Sequence, residues 1–220
     1  MACEHARARN TEAPVEAPIV DRTPDRKLEI RRIASDLIAA RGFDAVSVRD
    51  IATAAGITVP TLYWYIGSKQ QLLIDLVQGV HQQLYDRLEA VAHSDASPAD
   101  KLRAILSETF SLMASEPAYT LAYREQRSIE AGQAREIAPT RRQIDTVMRQ
   151  VIEDARARGE WLGVSTDIAN LSVWSIIRFA PEWFRPGGRE TPEELADKFA
   201  DVLLRGFTTV GPEPTPIERR

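Results

Sequence analysis

The chain has 220 residues, 44% of them hydrophobic and 27% charged, enough for one large domain or two modest ones with a real core. Its one cysteine, Cys3, excludes an intramolecular disulfide and a multi-cysteine metal site, and no apolar run reaches the roughly 18 residues of a membrane span. Net charge is −4, yet residues 22–71 carry eight Lys/Arg against five Asp/Glu, so a small basic unit joined to a larger acidic one is expected. The first residues lack the apolar stretch of a signal peptide, and a cytoplasmic protein is expected.

Residues 1–22, rich in Ala, Pro, Glu and Arg, read as a flexible arm, and 211–220, with Pro212, Pro214 and Pro216, as a flexible tail. Everything between reads as helix, giving an all-α fold with a domain at 23–70 and a larger one at 71–210. A first helix spans about Arg26 to Ala40, with Ile30, Ile33, Ala34, Leu37 and Ile38 at helical spacing and Gly42 as the stop. Ser47 caps a short helix through Ala55, Gly56 makes a turn, and Thr58 caps a third helix to about Ile66 with Pro60 in its first turn. A long helix follows from about Ser68 to Val91. Further helical patterns occupy roughly 99–114, 117–131, 138–158, 166–184 and 192–209, with Pro98, Pro117, Pro139 and Pro192 at or near their starts.

Two short helices joined by a glycine turn, "SVRDIATAAGITVPTLYWYI", make a helix-turn-helix. Counting about 100° per residue from Val59 places Leu62 and Ile66 on its inward side, with Tyr63 at the edge. Pro60, Thr61, Trp64 and Tyr65 then point outward. Outward aromatics on such a helix suit a DNA major groove, where Thr61 and Trp64 meet base edges and Tyr63 and Tyr65 meet phosphates. Lys69 would add a charged phosphate contact, and Arg49 and Thr53 on the preceding helix face the same groove. The alternative is that these aromatics pack against the rest of the chain or a partner subunit.

The segment "GFDAVSVRDIATAAGITVPTLYWYIGSKQQLL", Gly42–Leu73, resembles the TetR family of bacterial transcriptional regulators. That resemblance implies a tetracycline-repressor-like helix-turn-helix with Thr58, Thr61, Tyr63, Trp64, Tyr65 and Lys69 as DNA contacts, and Arg49 as a further candidate. Where this chain has Tyr65 and Ile66, the family usually has histidine and phenylalanine. The implied function is a ligand-responsive repressor of a roughly palindromic double-stranded operator, released by a small apolar or amphipathic effector. A constitutive repressor without effector, or a helical carrier or enzyme with a vestigial helix-turn-helix, are the alternatives.

The larger half shows no catalytic constellation and no metal site, and neither enzymatic activity nor a cofactor is expected. His81 and His93 read as solvent-facing. Ile168–Phe184 is apolar around most of its circumference, and Leu195, Phe199, Val202, Leu203 and Phe207 form a stripe on the last helix. The resemblance implies that these helices pair between two copies, as a homodimer interface through Ile168, Leu171, Trp183, Leu195, Phe199, Val202 and Leu203. The resemblance further implies a ligand pocket, for which Phe110, Met113, Tyr119, Tyr123, Trp174, Ile177 and Arg178 are the candidates. Arg178 and Arg124 are the arginines available to an acidic ligand group. "WFRPGG" followed by "TPEELADKFADVLLRGF" looks like a branch of that family answering to acyl-CoA thioesters and lipids.

Overall fold

A computed structural model describes residues 24–124 and 134–208. Nine helices and no strand lie among them: α1 (Pro24–Arg41), α2 (Val48–Ala54), α3 (Val59–Ile66), α4 (Lys69–Ala92), α5 (Pro98–Ser115), α6 (Pro117–Arg124), α7 (Ala134–Ala157), α8 (Thr166–Trp183) and α9 (Pro192–Thr208). The fold is all-α. The arm, the tail and the far end expected for the sixth helix lie outside the described residues.

Local chemistry sets the boundaries of the short helices. Ser47 and Asp50 form a capping box in which each side chain accepts a hydrogen bond from the other's backbone N–H, at 3.2 and 2.8 Å. The Ser47 hydroxyl, donating to the Asp50 carboxylate at 2.6 Å, and then the Ser47 N–H hold the Asp50 carboxyl below its ordinary range. Thr58 caps α3 by accepting from the Thr61 N–H, and Pro60 occupies a first-turn position whose N–H has no helical partner to lose. Gly67, at φ 68° and ψ −65°, ends α3 in a conformation costly for any side chain, and Ser68 at once caps α4. Two helices therefore change direction within three residues.

The helices enclose two apolar clusters. The first gathers Ile30, Ala34 and Ile38 of α1 with Phe43, Val46, Ile51, Leu62 and Ile66, and takes in Leu72, Leu73, Leu76 and Val77 from the start of α4. It also receives Leu121 from α6 and Ile137 from α7. The second holds the rest of α4 against α5, α7, α8 and α9, with Phe110 stacked on Phe184 at 5.9 Å and Trp161 against Phe207 at 5.5 Å. α5 runs along α9 and α4 along α7.

Helices α4 and α7 thus serve both clusters, and Gln78 Nε2 donates to the Glu136 carbonyl at 3.2 Å to tie them together. The basic residues of α1 are partly used in holding the head. Arg31 pairs with Asp75 of α4, Lys27 lies 3.9 Å from the same carboxylate, and Arg26 donates to the Ala55 carbonyl at 2.6 Å.

Candidate nucleic-acid interface and ligand cavity

α3 presents its two faces very unequally. Leu62, Tyr65 and Ile66 are buried, an i, i+3, i+4 set that seats the helix on its own cluster. Tyr63 is 43% and Trp64 56% exposed, large aromatics at the surface of a helix two turns long. Tyr65, placed outward by the angular count from Val59, is in fact 8% exposed. The buried stripe is centred on Leu62 rather than Val59, which rotates Tyr65 under the helix and Tyr63 out of it. The Tyr65 ring then meets the Trp64 ring edge-on, with centroids 4.9 Å apart. Tyr65 supports the exposed face of α3 from beneath; it does not belong to that face.

Thr61 is half-buried beside Thr58, their hydroxyl oxygens 2.8 Å apart, so Thr58 orients Thr61 as well as capping the helix. Arg49 and Thr53 stand exposed on α2. Lys69, expected as a charged phosphate contact, has a second set of neighbours within the head. Its Nζ donates to the Phe43 carbonyl at 2.6 Å and sits 4.3 Å from the centroid of the Phe43 ring. An ammonium has three donors, so this clamp leaves protons for a phosphate.

In the larger body, α4, α7 and α8 enclose a partly open cavity of about 500 Å³. Trp174 and Arg178, two of the residues expected at a pocket, line it. Phe110, Met113, Tyr119 and Ile177 instead fill the second apolar cluster and do not line this cavity. The side chains of Tyr123 and Arg124 lie outside the described residues.

His81 corrects an expectation: far from facing solvent, it is 3% exposed and lines the cavity. Burial, reinforced by the Arg141 charge, lowers its pKa to about 4. Its place could have been read from the sequence, because Val77, His81, Leu84 and Leu88 recur at the spacing of a buried stripe. Asn170 was missed for the same reason, standing beside Ala169 and in line with Val173 and Ile177 on the inner side of α8. His93 is exposed as expected, its Nδ1 2.8 Å from the Glu89 carbonyl oxygen. No cluster of metal-ligating side chains occurs among the described residues, and none of their helices is long and apolar enough to cross a membrane.

The outer face of α8 carries Ile168, Leu171, Phe179 and Trp183, all exposed, and Val202 of α9 is exposed as well. Leu195 and Phe199 are half-buried. Leu203, named in the expected interface set, is instead 7% exposed and packs into the second apolar cluster. Phe179 is an exposed apolar residue that the expected set omitted.

Comparison with known proteins agrees with this architecture. Residues 30–76 match the model of "Bacterial regulatory proteins, tetR family", and residues 95–207 that of "Tetracyclin repressor-like, C-terminal domain". The HTH-type transcriptional repressor KstR2 of Mycobacterium tuberculosis is 26% identical over 192 residues, 84% of this chain and 94% of the relative. The HTH-type transcriptional regulator EthR of the same species is 38% identical over 72 residues, 33% of each chain. Among solved structures, AibR in complex with isovaleryl coenzyme A and operator DNA superposes with a TM-score of 0.74 at 23% identity, over 81% of this chain and 98% of that one. The regulator PfmR from Thermus thermophilus gives 0.75 at 24% identity, over 80% and 97%. With a tetR-type head and a tetracyclin repressor-like domain spanning half of its length, the chain belongs to the TetR family of DNA-binding transcriptional regulators.

Proposed function

We propose that the protein is a dimeric repressor that reads a roughly palindromic operator through α3 and is released when a small amphipathic ligand occupies the cavity between α4, α7 and α8. The carrying observation is the division of α3: Leu62, Tyr65 and Ile66 fix it while Tyr63 and Trp64 stand exposed. Trp64 and Thr61 are assigned to base edges, and Tyr63, Arg49 and Lys69 to the backbone. Thr58 acts on the DNA through Thr61. The dimer forms through the exposed apolar residues of α8 and α9, which sets two copies of α3 at the spacing of successive major grooves.

Release follows from shared helices. α4 and α7 contribute His81, Leu84, Arg141 and Ile144 to the cavity and Leu72, Leu73 and Ile137 to the head cluster. A ligand that favours one arrangement of these helices shifts the head with them, by as much as its affinities for the two arrangements differ. The complex of AibR with isovaleryl coenzyme A and operator DNA supports placing both ligands on this fold.

The test is selection of bound duplexes from random sequence, followed by footprinting. A two-fold site with half-sites about one helical turn apart is expected. Retention of no sequence above background would overturn the reading.

A further inference from the structure

Three buried polar atoms without a hydrogen-bond partner belong to residues that line the same cavity. They are His81 Nδ1, Asn170 Oδ1 and Trp174 Nε1. His81 and Asn170 are 3% and 5% exposed, so bulk water does not satisfy them. Burying such a group unpaired is costly, and their concentration at one cavity marks a place built for polar contacts.

The chemistry of each atom constrains the occupant. Asn170 is oriented unambiguously, because its Nδ2 donates to Asp145 Oδ1 at 2.8 Å and a carboxylate accepts only. Its Oδ1 therefore requires a donor. Trp174 Nε1 is a donor and requires an acceptor. A hydroxyl supplies both roles, and a hydrocarbon neither.

The charges add a second requirement. Arg149 is already committed, its guanidinium shared between Asp145 at 2.9 Å and Asp167 at 2.8 Å. That leaves Arg141 and Arg178 at the cavity with no carboxylate partner among the described residues. Two guanidiniums without a carboxylate partner beside a partly open cavity fit an anion. Buried Leu84 and Ile144 give the cavity an apolar lining, and Leu171 and Phe179, exposed on α8, also border it.

We infer that the cavity between α4, α7 and α8 binds a hydroxylated organic acid, its anionic group on Arg141 and Arg178 and its hydroxyl on Asn170, Trp174 and His81. This rests on the reading of the cavity as the effector site, but it is tested by binding to DNA-free protein and so stands or falls separately.

The probes are 10-hydroxydecanoate, decanoate and 1,10-decanediol, which share a chain and differ only in the two end groups. Calorimetry on the full chain is expected to rank 10-hydroxydecanoate first, with loss of either end group weakening binding about tenfold or more. Arg178→Gln, at an exposed position, should cancel the preference for the acid over the diol. Trp174→Phe, which keeps an aromatic side chain and removes the N–H, should reduce the preference for the hydroxy acid over decanoate. Equal affinity for the three probes, or no binding by any at millimolar concentration, overturns the assignment, as does a crystal structure in which waters alone satisfy all three atoms in the presence of the hydroxy acid. Binding in the expected order without any loss of operator affinity would instead uphold the site and sink its role as effector switch.

Discussion

Lys69 Nζ donates to the Phe43 carbonyl at 2.6 Å while lying 4.3 Å from the centroid of the Phe43 ring, so the first residue of α4 grips the loop that precedes α2. The clamp links the start of the long helix to the head it must carry. Lys69→Met, which keeps most of the stem, should lower unfolding free energy by about 1–2 kcal/mol through loss of the charged hydrogen bond. It should also weaken binding to all duplexes and reduce the salt slope by about 1. Thermal melts and binding at two salt concentrations separate the effects, and an unchanged melting temperature would contradict the clamp.

Trp64 and Tyr65 are neighbours with opposite exposure. Tyr65→Ala removes a buried ring and should cost about 3 kcal/mol of stability. Trp64→Ala removes a mostly exposed one and should stay within about 1 kcal/mol of wild type while losing sequence preference. Denaturation midpoints of the pair check this. Equal losses would mean that both rings are structural.

Gly67 occupies a positive φ that separates α3 from α4. Gly67→Ala meets no steric contact within 4 Å, so its cost is conformational, about 1 kcal/mol or more. A melting temperature equal to or above wild type would show that the turn tolerates a side chain.

His81 predicts a pH dependence. Its pKa falls from 6.5 in the unfolded chain to about 4 in the folded one, with burial the larger cause and Arg141 the smaller. Between those values the unfolded chain binds a proton that the folded chain does not. Stability from this group is therefore complete above about pH 6.5 and declines as pH drops toward 4, by about 3 kcal/mol in total. His81→Gln should flatten that part of the curve, and a variant profile as steep as wild type would contradict the assignment.

The apolar strip on α8 and α9 gives an assembly prediction. Leu171→Glu together with Val202→Glu, both at exposed positions, should yield a folded monomer by sedimentation. A persisting dimer would place the interface elsewhere.

The helices were legible because their signals are local. Ser47, Thr58, Ser68, Ser97 and Ser165 all act as N-caps, and Gly42, Gly56 and Gly67 take the positive φ values that end or join the first elements. The facing of α3 was less legible. Eight residues give little more than two turns, and a stripe centred one position away moves Tyr65 from outside to inside. The cavity was harder still. Its lining comes from α4, α7 and α8, so His81, Arg141 and Asn170 meet only through tertiary packing. Aromatic and sulfur-containing residues drew attention as pocket candidates, yet Phe110, Met113 and Tyr119 close the core instead. His81, Asn170 and Trp174 bring to the space polar atoms without a hydrogen-bond partner, a property no single sequence displays.

The measurement that bears most directly on the central claim compares wild type and Trp64→Ala on a selected operator and a scrambled duplex at physiological salt. Wild type should prefer the operator by about a thousandfold or more. Trp64→Ala should bind both duplexes with the same weak affinity while melting close to the wild-type temperature. A folded Trp64→Ala protein that keeps its full operator preference would show that the exposed face of α3 does not read the sequence.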